Sequence, residues 1–191
     1  MIQEVIVTTT NKDGSTHIAP MGIRKESGLI IISPFKPSAT LENIQRNKSA
    51  VINRVDDVRV FAGCLTGHKD WSLAPTEKIK DKRLEMALSH LELCLERFED
   101  DELRPQFYFK QIIEINHKPF QGFSRAQYAV LEAAILVSRL RMLTKEKIEQ
   151  EVEYLKIAID KTAGENEKVA WGWLMESIKQ YRQVSTQEKT V

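Results

Sequence analysis

In the stretch SPFKPSATLENIQRNKSAVIN, residues 33–53, Ser33, Lys36, Ser38 and Thr40 crowd the start of a short amphipathic segment. Hydroxyls, an ammonium group and the unpaired N–H groups of a helix start are what a phosphate dianion needs. The helix end carries partial positive charge, and the side chains add charge-assisted bonds. The same residues suit a simpler purpose. Ser38, placed just before a helix, caps it by accepting a backbone N–H, a contact worth about 1 kcal/mol that requires no ligand. Spacing alone allows both readings.

The rest of the chain shows no familiar motif. It contains no GxxxxGK[ST] loop, no GxGxxG after a strand, no HExxH and no GxSxG elbow, and its eight glycines are dispersed. His17, His68, His90 and His117 never fall at ligand spacing, so each reads as a structural or surface histidine rather than part of a metal site. Cys64 lies in an apolar run and reads as a small core residue. Cys64 and Cys94 stand thirty positions apart with no CxxC pairing, which fits a reducing compartment. Trp71, Trp171 and Trp173 could stack on a flat ligand; Trp173 fits a packed core equally well, and Trp171 a subunit surface.

These residues have to be positioned by a scaffold, and the composition describes an ordinary globular one. The chain has 191 residues, 42% hydrophobic and 29% charged, enough to bury a core without disulfide or metal. A net charge of +1 argues against a general nucleic-acid or anionic-membrane surface. No stretch reads as a signal peptide or membrane span, so the expectation is a soluble, cytoplasmic protein.

The first part of the chain reads as antiparallel strands. Residues 2–10 are rich in β-branched side chains, and Asn11-Lys12-Asp13-Gly14 signals a turn. Residues 15–24 alternate, with His17, Ala19, Met21 and Ile23 on one face; Glu26-Ser27-Gly28 turns the chain into a short strand at 29–32. Leu41 and Ile44 give the short helix its stripe. Residues 49–55 and 58–65 then read as a hairpin around Asp56-Asp57. From Thr76 as N-cap, Leu84, Ala87, Leu88, Leu91, Leu95 and Phe98 recur at helical spacing, and an acidic run, 98–102, reads as a helix end and loop. Residues 106–116 read as a last strand. A buried helix over 124–143, a second capped by Thr144 and ending at Gly164, and a third over 165–182 complete an α+β chain. The expected divisions are a barrel-like domain, 1–119, a C-terminal helical subdomain, 120–182, and a polar frayed tail, 183–191.

A strand, then SPxKxSxTLxNI, then a strand ending VIN resembles the phosphate loop of flavin-reductase-like split barrels. The segments GFSRAQYAVLEAAILVSRLRML and IDKTAGENEKVAWGWL resemble the C-terminal helices of domain-of-unknown-function family 447, a set of FMN-binding split barrels, over nearly the whole chain. The resemblance implies an antiparallel split β-barrel with a C-terminal helical subdomain, and FMN as cofactor. It implies that Ser38 and Thr40, with Ser33, Lys36 and Asn43 near them, grip the phosphate. It sets His17, Ile18, Ala19, Pro20 and Met21 along the flavin ring, Asn53 facing ring or ribityl chain, and Arg54 near the phosphate. It also implies a homodimer with flavin in a groove shared between subunits.

FMN carries its own redox chemistry, so the missing triad is compatible with an oxidoreductase. The expectation is a flavin-dependent oxidoreductase acting on a small molecule. Open beside it are a non-catalytic FMN carrier or sensor, a split barrel holding haem or a deazaflavin, and a ligand-free scaffold that binds a protein partner.

Overall fold

The computed structural model describes residues 1–187. Two compact units divide it: one comprises Met1–Asp56 and Asp70–Phe120, the other Asp57–Lys69 and the chain from Gln121 onward.

In the first unit, β1 (Ile2–Thr10), β2 (Thr16–Glu26), β3 (Leu29–Ile32), β4 (Ser49–Arg54), β7 (Ser89–Glu99) and β8 (Gln106–Asn116) form a closed antiparallel barrel in the order β1-β2-β3-β8-β7-β4. Turn chemistry sets its first hairpins. The Asp13 carboxylate accepts the Ser15 N–H and hydroxyl, and Gly14 takes φ +85°. Ser27 and Gly28 both have positive φ, the condition for a two-residue turn that follows strand twist.

Val5, Val7, Ile23, Ile30, Ile32, Ala50, Ile52, Leu91, Leu93, Phe107 and Phe109 fill the interior. The helix α1 (Ala39–Asn47) adds Leu41 and Ile44 to that core, each side chain contributing roughly 1.5–3 kcal/mol by its burial. Met21 packs on the same cluster, and Ala19 lies opposite Val7 in the β1–β2 register. The face of β2 that carries Ala19, Met21 and Ile23 therefore looks into the barrel.

The barrel's other face is also covered. Ile6, Thr8, Val51, Asn53, His90 and Glu92 are all buried on it. Over them runs the excursion that carries β5 (Leu73–Pro75) and β6 (Lys82–Leu84), a two-stranded ribbon. This corrects the helix expected from Thr76 to Phe98. Ser89–Glu99 does alternate, with Leu91 and Leu93 in the barrel interior and His90 and Glu92 on the opposite, equally buried face, but Leu84, Ala87, Leu88, Leu91 and Leu95 also fall at helical spacing, and that spacing masks the alternation. Thr76 caps no helix; its hydroxyl lies 2.8 Å from Ile79 O and 2.7 Å from Asp81 O, closing a turn.

A second correction concerns residues 58–65, expected as a strand. They form α2 (Arg59–Thr66), which belongs to the helical unit. Asp57 explains the change: its carboxylate accepts the Arg59 N–H at 3.0 Å and pairs with the Arg59 guanidinium, which starts a helix where hydropathy alone shows only a short apolar run. Cys64 accordingly lies in a helix rather than a strand, and burial pushes its thiol up to about 11.

The second unit packs α2 with α3 (Arg125–Ser138), α4 (Lys145–Thr162) and α5 (Glu165–Gln187). Ala126, Ala129, Ala133 and Ala134 give α3 a narrow face that admits Ala62, Leu155, Ile159 and Leu174. Ser124 and Thr144 cap α3 and α4 through Gln127 N and Lys147 N. α3 stops at Ser138, five residues short of the expected end. α5 continues through Gln187, so 183–187 is helix instead of frayed tail; residues 188–191 lie outside the described residues. Among the described residues no helix is long and apolar enough to cross a membrane.

Candidate functional site

β3 delivers Ser33 to a loop that ends at Ser38, the N-cap of α1. The capping expectation holds: Ser38 Oγ accepts the Leu41 N–H at 3.3 Å, and Ser38 O accepts the Glu42 N–H at 3.2 Å. Capping uses a lone pair of the hydroxyl and leaves its proton to donate. Helix geometry also leaves the Ala39 and Thr40 amides without intrahelical acceptors. Thr40 itself is buried.

Two features of this loop favour an anion. Among the described residues Ser33 Oγ is buried with no hydrogen-bond partner, an arrangement that costs free energy unless a ligand or water satisfies it. Arg104, from the loop between β7 and β8, donates to Ser33 O from Nη2 at 3.1 Å and Nε at 3.3 Å. Lys36 stands on the same loop, but its ammonium lies 2.5 Å from Asp100 Oδ1, whose carboxyl it holds below the ordinary carboxylate range. Arg104 was not among the residues expected from sequence. It lies 71 positions from Ser33, beyond a run of acids, and nothing local marks it.

The other expected residues lie on adjoining elements. α1 rests against β1 and β2. Asn43 donates to Thr9 Oγ1 at 3.0 Å and Asn11 Oδ1 at 2.8 Å and accepts from Arg46 at 2.5 Å, so its amide ties α1 to the end of β1. Thr9 is the register partner of His17, which brings the His17–Met21 strand beside that junction. His17, Ala19, Pro20 and Met21 are half-buried and Ile18 is buried.

Asn53 pairs across β1 in line with Pro20, on the covered face. Its amide is engaged at both ends: Nδ2 donates to Ile6 O and Thr8 Oγ1, and Oδ1 accepts the Leu84 N–H at 2.7 Å. Arg54 is paired with Glu114 and contacts Ser89 Oγ. Trp173 stacks on His68, with ring centroids 4.0 Å apart; Trp171 packs against the helical core, and Trp71 is half-buried.

The covered face holds a second polar cluster. Glu92, fully buried, accepts the N–H groups of Glu77, Lys78 and Ile79 at 2.6, 2.8 and 3.0 Å. Burial pushes this carboxyl up, but the three amides and the His90 ring outweigh it and hold it below its ordinary value. An ionised Glu92 only accepts, so His90 Nε2 carries a proton toward it at 3.2 Å. His90 Nδ1 lies 2.8 Å from His117 Nε2, so the two rings share a hydrogen bond. Burial, then the charges of Arg83, His90 and Lys118, push His117 below its ordinary value of 6.5.

A depressed histidine favours the neutral ring in the fold, so the unfolded chain binds more protons as pH falls below about 6.5. Stability is therefore expected to decrease as pH drops from roughly 7.5 toward 5.5. His117→Gln is expected to flatten that slope. Urea unfolding at a series of pH values checks this; an unchanged slope in the variant would place the titration elsewhere. Among the described residues no group of three His, Cys, Asp or Glu side chains could hold a metal ion.

Comparison with known proteins agrees with this fold. The family model described as "Protein of unknown function (DUF447) N-terminal domain" matches residues 3–118, and its companion, "Protein of unknown function (DUF447)", matches residues 124–176. An FMN-bound DUF447 protein from Methanosarcina mazei has a TM-score of 0.78 at 21% identity, covering 92% of this chain and 94% of its own. The 2-nitrobenzoate 2-nitroreductase NbaA of Pseudomonas fluorescens has a TM-score of 0.52 at 22% identity, covering 60% and 64%. Nitrilotriacetate monooxygenase component B from Mycobacterium thermoresistibile has a TM-score of 0.54 at 13% identity, covering 63% and 72%. No curated protein matches the chain in sequence. The expected fold, an α+β split barrel with C-terminal helices, is the observed one.

Proposed function

The chain belongs to the DUF447 family of proteins of unknown function, and from that premise we propose that it binds FMN and acts as a flavin-dependent oxidoreductase on a small molecule. The observation that carries the reading is the buried, unpartnered Ser33 Oγ on the loop that opens α1. A phosphate monoester dianion fits the donors collected there: the Ser33, Ser38 and Thr40 hydroxyls, the first amides of α1, and a cation beside the loop. The Methanosarcina mazei protein of the same family and fold is FMN-bound, which supports the choice of ligand.

In this reading the backbone of His17–Met21 borders the ring, with Pro20 contributing no N–H. Asn43, Asn53 and Arg54 act by holding α1, β4 and their neighbours in place. When bound, FMN supplies the electron and hydride chemistry, so the chain needs no acid or base of its own and contributes binding and orientation. The reading includes a homodimer with a shared flavin groove, as the sequence resemblance to flavin-reductase-like split barrels implies, and a cytoplasmic location, in keeping with two free cysteines.

Fluorescence titration with FMN and riboflavin tests it. FMN is expected to bind about 100-fold more tightly or better, because only FMN carries the dianion. Equal affinities would reject the phosphate site, and no binding of either would reject the cofactor. Anaerobic bleaching of the holoprotein by NADH or NADPH is the test for an oxidoreductase.

A further inference from the structure

We propose that Arg104, and not Lys36, is the cation that recognises the phosphate and sets the preference for FMN over riboflavin. The inference rests on the FMN reading and adds to it a residue from another part of the chain. Sequence proximity nominates Lys36, but its ammonium is already matched by Asp100 at 2.5 Å. Recruiting it for a ligand means breaking or sharing that pair.

Arg104 is in the opposite condition. Among the described residues no carboxylate lies within ion-pair distance of its guanidinium, while two of its five donors are used on Ser33 O. Three N–H groups remain, in the planar fork that matches a phosphate. The side chain is also held in place. Its guanidinium carbon lies 4.5 Å from the centroid of the Phe35 ring, in stacking range.

Its loop is tied down as well. Asp101 Oδ1 accepts the N–H groups of Leu103 and Arg104 at 2.9 and 2.6 Å, and Leu103 O accepts the Lys36 N–H at 2.9 Å. An exposed arginine is thus fixed to the very residue whose own hydroxyl is buried and lacks a partner. A pre-positioned, uncompensated guanidinium beside an unsatisfied hydroxyl is the chemistry that a phosphate dianion completes, and an uncharged flavin does not.

The test compares Arg104→Gln, Arg104→Lys and Lys36→Gln with the unaltered protein in titrations with FMN and riboflavin, with thermal melts alongside. Arg104→Gln is expected to weaken FMN about 10- to 100-fold while riboflavin changes less than about 2-fold. Arg104→Lys restores the charge but not the fork and is expected to fall between. Lys36→Gln is expected to change FMN affinity less than about 3-fold. The inference is overturned if Arg104→Gln leaves the FMN preference intact, if it weakens both flavins equally, or if Lys36→Gln causes the larger loss. Unaltered protein that fails to prefer FMN would overturn the phosphate site itself. That result is distinct from a preference that survives loss of Arg104.

Discussion

Ser38→Asp is expected to abolish measurable FMN binding while leaving riboflavin affinity and the melting temperature nearly unchanged. Aspartate caps a helix as well as serine does, and its charge complements the helix dipole, so α1 keeps its start. Its carboxylate, however, stands where the phosphate would lie. Two like charges about 5 Å apart at an effective dielectric near 20 repel by roughly 3 kcal/mol, and a dianion feels more, so the loss is on the order of 100-fold or greater. Ser38→Ala is a poorer probe, since it removes the cap and the donor together. Flavin fluorescence and a thermal melt on the same sample decide the matter. FMN retained at normal affinity would leave Ser38 as a cap and nothing else, and equal loss of both flavins would point to a disturbed loop.

Glu92→Ala is expected to cost about 3–5 kcal/mol of stability, a large fraction of the 5–15 kcal/mol typical of a domain. The carboxylate accepts three successive backbone amides, Glu77, Lys78 and Ile79, and also contacts the His90 ring. Removing it strands four donors beneath the β5–β6 excursion and opens a void. Glu92→Gln keeps one acceptor oxygen but turns an NH2 toward those amides, and is expected to lie between. Urea unfolding gives the comparison. A loss below about 1 kcal/mol would mean that the turn over 76–81 is held by something other than this carboxylate.

Where neighbours in sequence are neighbours in space, the chain was legible by itself. Asp13 and Gly14, and Ser27 with Gly28, close their hairpins with their own side chains and backbone angles. Ser38, Ser124 and Thr144 cap the helices that follow them. The Ser33–Thr40 loop could be picked out because strand, loop and helix start are consecutive, and its pattern together with the C-terminal helices was enough to reach the family.

Tertiary structure decided the rest, because the partners that settle each of these elements come from distant parts of the chain. His90 and Glu92 lie on the barrel's second face under the excursion that carries β5 and β6, and the leucines between them also fit a helical period, so pairing with β4 and β8 is what makes Ser89–Glu99 a strand. Residues 58–65 reversed the other way, because Asp57 starts a helix whose apolar residues pack in a different unit. Asn43 and Asn53 have the chemistry of ligand contacts, and the packing of α1 on β1 and the pairing of β4 bring them to partners more than thirty positions away. Arg104 shows the same principle in reverse. Only the closing of β3 against β8 brings it to Ser33, because a charge without a local partner carries no signal until the barrel supplies its neighbours.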